Sequence, residues 1–125
     1  MSDSQLELSV LEMEALIVGL LKRMGGNATF AELNALSGFA SEEGQASYSY
    51  ELAPNVVIWE GMTAPACEAM VRLRKRRQVD FEPCPVLYYY MDGISLDMPL
   101  AKRPTDRGYK KPRWIPVNVV LQKEA

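Results

Sequence analysis

The stretch "VLEMEALIVGLLKRMGG", residues 10–26, constrains the fold most. Met13, Leu16, Ile17, Leu20 and Met24 recur at intervals of three and four, the stripe of an amphipathic helix. Ser9 and Glu12 stand three apart where the stripe begins. In that spacing the hydroxyl accepts from the third amide and the carboxylate reaches back to the cap amide. Gly25-Gly26 supplies the left-handed residue on which helices end. The pattern predicts a helix from Ser9 to Met24 with one buried face, preceded by a flexible polar segment over residues 1–8.

The same punctuation continues downstream. Thr29 with Glu32 predicts a second, short helix, with Phe30, Leu33 and Leu36 on one face and Gly38 as its stop. "SGFASEEGQASYSYELAPN" is rich in Ser, Gly and Glu and is expected to be a loop. "NVVIWEGM" is β-branched and aromatic, bounded by Pro54 and Gly61, and is expected to be a strand. Thr63 is expected to cap a third helix, with Pro65 in the first turn, where an amide has no intrahelical partner. Its inward positions would be Ala66, Ala69, Met70 and Leu73. "VDFEP" and "PVLYYYMDG" are expected to be two strands of a hairpin joined through Pro83-Cys84-Pro85. Leu87 and Tyr89 would face one way on the second strand, and Val86, Tyr88 and Tyr90 the other. Residues 94–113 form a loop rich in proline and basic residues, and "WIPVNVVL" is expected to be a final strand, with Trp114 a core anchor.

Composition narrows the function. A chain of 125 residues suits one domain. No apolar run approaches the roughly 18 residues that cross a bilayer, and the first residues are acidic rather than basic, so a cytoplasmic protein without a membrane partner is expected. Histidine is absent, which excludes imidazole acid–base chemistry. Cys67 and Cys84 lack a metal-ligand spacing and are expected to be small buried hydrophobes. With no glycine-rich phosphate loop and no G-x-S-x-G motif, the chain is expected to be a non-enzyme that needs no cofactor or metal.

Charge is unevenly distributed. Residues 1–70 carry ten acidic and two basic side chains, whereas residues 71–125 carry twelve basic and six acidic. Two basic groups stand out: Arg72, Arg74, Lys75, Arg76 and Arg77 at the end of the third helix, and Lys102, Arg103, Arg107, Lys110, Lys111 and Arg113 beside Tyr109 and Trp114. Cations at a helix C-terminus complement its dipole, and clustered cations also suit DNA phosphates.

The order of elements in "VLEMEALIVGLLKRMGG", "TFAELNALSG" and "TAPACEAMVRLRKRRQVDFEPCPVLYYYMDG" resembles a winged helix-turn-helix domain over residues 9–93. The resemblance implies an α+β fold of three helices plus a β-hairpin wing. Residues 94–125 would add a basic loop and a C-terminal strand packed on the same domain. It also implies a small DNA-binding protein, a transcription regulator or accessory factor. Such a protein would contact double-stranded DNA through the two basic groups, as a homodimer. The first half of the third helix, "TAPACEA", offers none of the bidentate donors that read bases. A winged-helix module or inhibitor that binds a protein and no nucleic acid therefore fits the same residues.

Overall fold

The computed structural model describes residues 3–101 and 108–122. The fold is mixed α+β with two small sheets. Helix α1 spans Asp3–Arg23 and buries Val10, Met13, Glu14, Ile17 and Leu21. It starts six residues before the expected cap, so residues 3–8 are helical and Ser9 and Glu12 lie in the helix interior. Tertiary contacts hold this early start: Leu6 packs against the core, and both carboxylate oxygens of Glu7 accept from Arg72, at 2.7 and 2.8 Å. The buried stripe is rotated from the expected one, leaving Leu16 and Met24 exposed. Gly25 and Gly26 end the helix at positive φ, with Gly26 N–H donating to Leu21 at 2.7 Å and Gly25 N–H to Lys22 at 3.3 Å.

Strand β1 (Asn27–Thr29) leads into α2 (Phe30–Leu33) through the expected capping box. Thr29 Oγ1 accepts from Glu32 N–H at 3.2 Å, and Glu32 Oε1 accepts from Thr29 N–H at 3.1 Å. The helix is a single turn and ends before Gly38. The segment expected to be a loop contains strand β2 (Tyr48–Ala53), hairpin-paired with β3 (Val56–Met62), the strand expected from "NVVIWEGM". Only Tyr50 of β2 is buried, so no alternation marks this edge strand in the sequence.

Helix α3 (Ala64–Lys75) follows the expectation closely. Thr63 Oγ1 accepts from Ala66 N–H at 3.2 Å, and Ala66, Ala69, Met70 and Leu73 are buried. Arg77 takes the left-handed position after the helix, at φ 61°. Gln78 N–H closes the end on Leu73 at 2.9 Å.

Strand β4 (Val79–Pro83) is present, but its expected hairpin partner is not a strand. "LYYYM" forms a short helix, α4 (Leu87–Met91). The remaining strands are β5 (Arg113–Trp114), parallel to β3, and β6 (Val117–Leu121), antiparallel to β1 and β4. The sheets run β1-β6-β4 and β2-β3-β5. The C-terminal strand is thus the centre of its sheet, not an addition to it, and β6 takes the place beside β4 that a wing strand would have had. Trp114 is buried, as expected, in an aromatic core with Trp59 and Tyr89. No helix among the described residues is long and apolar enough to cross a membrane.

Candidate interaction surfaces

Three of the five cations at the end of α3 are held by carboxylates within the chain. Arg72 binds Glu7 bidentately and donates to Glu68 at 3.0 Å. This contact holds the Glu7 carboxyl below its ordinary range, and the two carboxylates raise the Arg72 guanidinium further. Arg76 pairs with Glu14, a carboxylate buried on the inner face of α1. Arg74 lies 3.4 Å from Asp80 and stacks over the Phe81 ring at 5.1 Å. No described carboxylate pairs with Lys75 or Arg77. Both line an open hollow of about 410 Å³ with Tyr50, Arg74, Asp80 and Gln122.

The second basic group is divided. Lys102, Arg103 and Arg107 lie outside the described residues. Lys110 and Lys111 are exposed, and the Arg113 guanidinium stacks on Tyr109 at 5.2 Å. Gly108 fixes this segment against the β2–β3 turn: its φ is 74°, and a Cβ there would fall 2.1 Å from the Pro54 carbonyl oxygen. Tyr109 N–H donates to that oxygen at 2.9 Å. Gln122, which follows β6, bonds back to Gln78 beyond the end of α3, whereas Arg113 precedes β6 and bonds Asn55. The described part of the second group, Lys110, Lys111 and Arg113, therefore precedes β6, whereas the end of α3 lies beside the other end of that strand, roughly 17 Å away along it.

The first half of α3 is also flanked. Cys67 Sγ lies 3.7 Å from the Ser49 carbonyl of β2. Both cysteines are half-buried, not fully interior, and burial pushes each thiol up from its ordinary value. Among the described residues no cluster of three metal-ligating side chains occurs.

The feature that sequence reasoning missed is α4. Tyr89 is fully buried, and its hydroxyl donates to the Val117 carbonyl at 2.6 Å and accepts from Phe30 N–H at 3.1 Å. Burial pushes that phenol well up from its ordinary value. A helical turn that points Tyr89 inward places its neighbours at i±1 and i±2 on the opposite arc. Leu87, Tyr88, Tyr90 and Met91 are accordingly 58, 47, 56 and 75 % exposed. Beside them is a hollow of about 240 Å³ lined by Thr29, Glu32, Tyr88, Met91, Asp92 and Asn118. The two charged side chains that line this hollow, Glu32 and Asp92, are both carboxylates. A period-two count of "VLYYYM" could not reveal this surface, although Pro85 just upstream is compatible with a helical first turn.

Compared with known proteins, the chain matches no family model, no curated protein and no solved structure.

Proposed function

We propose that the chain is a protein-interaction module with a winged-helix-like arrangement, and that it docks its partner through α4. The sheet order β1-β6-β4 with α1, α2 and α3 supports this arrangement, the connection between β4 and β6 corresponding to a wing. The observation that carries the functional part is α4 itself, four adjacent large apolar side chains in water around one buried anchor. Contiguous exposed apolar side chains rimmed by polar groups mark association sites, and tyrosines suit them because they bury area at low entropic cost. The carboxylate rim selects a partner that brings apolar side chains flanked by Lys or Arg.

Affinity capture from the source cells tests the proposal. The double variant Leu87→Asp/Met91→Asp should lose a partner that the wild type retains after nuclease treatment. Retention of the same partner by that folded variant would contradict it.

DNA binding is the second reading, favoured by Lys75 and Arg77 at the end of α3 and by Lys110 and Lys111. It is weakened because Arg72, Arg74 and Arg76 are already neutralised within the chain.

A further inference from the structure

The hollow at the end of α3 shares no lining residue with the one beside α4. Its space of about 410 Å³ is bordered by Tyr50, Arg74, Lys75, Arg77 and Asp80. The Arg74 guanidinium is held in place there. Its Nε donates to Asp80 at 3.4 Å, and its carbon lies 5.1 Å from the centre of the Phe81 ring. Asp80 Oδ1 is itself fixed, accepting from Phe81 N–H at 2.8 Å. Asp80 thus offsets one of the three cations. Lys75 and Arg77 are exposed, and no carboxylate among the described residues pairs with either.

The helix dipole accounts for cations near this terminus but not for the placing of Arg77. That residue has φ 61°, a conformation that glycine adopts freely and a residue with a Cβ adopts at a cost. At the corresponding places after α1 and α4 the chain has Gly25 and Gly93, at φ 85° and 74°. An arginine where glycine would close the turn more easily, its side chain lining a hollow, points to a use for that side chain.

From these residues we propose that the hollow binds a phosphate monoester carried on a small apolar body. A monoester bears a charge of about −1.5 to −2 at neutral pH, which matches the two cations that Asp80 does not offset. Lys75 supplies a point charge, and the Arg77 fork can meet two phosphate oxygens at once. Arg74, positioned by Asp80 and Phe81, borders the same space. Val71 and Val79, with Tyr50, give the body an apolar wall. The volume falls in the lower part of the range of small-molecule sites, about 300–1,000 Å³. A phosphodiester carries a single charge and is substituted on both sides, so a nucleic-acid backbone fits the hollow less well.

Calorimetric titration of the full chain with phenyl phosphate, a phosphotyrosine pentapeptide and a dithymidine phosphodiester tests the proposal. Phenyl phosphate should bind about tenfold tighter than the phosphodiester, or more. Lys75→Ala and Arg77→Gly should each weaken it by about tenfold or more. Arg77→Gly should melt at or above the wild-type temperature, because glycine relieves the left-handed residue. Its loss of binding then does not come from misfolding. Leu87→Asp/Met91→Asp should bind phenyl phosphate as the wild type does, which separates this site from the proposed role of α4. Binding of either monoester supports the proposal, and the tighter of the two shows whether the phosphate is free or borne on a protein side chain. Absence of binding by both at millimolar concentration overturns it. So does a phosphodiester that binds as tightly, and so does unchanged affinity in both Lys75→Ala and Arg77→Gly.

Discussion

The end of α3 and the single turn of α4 look alike in one dimension and differ in three. Both are runs of one residue class, "RLRKRR" and "LYYYM". In the first, three of the four arginines, Arg72, Arg74 and Arg76, pair with carboxylates on α1, α3 and β4. In the second, one side chain turns inward and four are left in water. The difference teaches where binding capacity resides. A charge that already has a partner must break that contact before it meets a phosphate, whereas an exposed apolar side chain gives up only ordered water.

The largest break in this contrast should come from Tyr89. Tyr89→Ala removes the core anchor of α4 and should cost about 3–5 kcal/mol in urea unfolding. Tyr89→Phe leaves the Val117 carbonyl and the Phe30 amide without their partner, at about 1–3 kcal/mol. Tyr88→Ala and Tyr90→Ala should each stay within about 0.5 kcal/mol. If all four cost alike, α4 is not anchored by one residue.

Next in size is Arg76→Ala. It leaves the buried Glu14 carboxylate without its cation, and a loss of about 1–2 kcal/mol is expected, discounted because Arg76 is half exposed. Glu14→Gln in the same chain should recover part of it. Lys75→Ala, beside it, should change little.

These contrasts also mark how far the sequence could be read. Capping at Thr29 and Thr63, the core face of α3, strand β3 and Trp114 were legible because each depends on neighbours three or four residues away, or on one strongly apolar run. The early start of α1 was not, because it depends on Arg72, far along the chain. Nor was β6 as the central strand, since strand order is a tertiary property. "VLYYYM" misled because tyrosine suits strands, and only the fit of Tyr89 between Phe30 and Val117 turns the segment into a helix. The basic residues were visible, but their carboxylate partners were not.

A smaller effect concerns pH. The Glu7 carboxyl titrates lower in the folded chain than in the unfolded one. Its contribution is therefore fully present above the ordinary carboxylate pKa and is lost as pH falls through the depressed value. Protection of the Leu6 and Leu8 amides against exchange should fall in acid before that of the rest of α1. Arg72→Ala should show the fast exchange already at neutral pH. Uniform exchange along α1 in the variant would mean that the Glu7–Arg72 contact does not hold the first turns.

The smallest effect concerns the thiols. Burial raises both, so alkylation of Cys67 and Cys84 at pH 8 should be slower in the folded chain than in urea. Equal rates would show that the flanks of α3 are open.

The central claim is that the arginines of α3 serve the inside of the domain and α4 serves the outside. Titrating random duplex DNA with the wild-type chain at about 50 and 200 mM salt tests it most directly. The account predicts weak association at the lower salt, carried by Lys75, Arg77, Lys110 and Lys111, and unaffected by Arg72→Ala. Tight binding that falls by about three to five orders of magnitude between the two salts, and that Arg72→Ala abolishes in a folded chain, would contradict it.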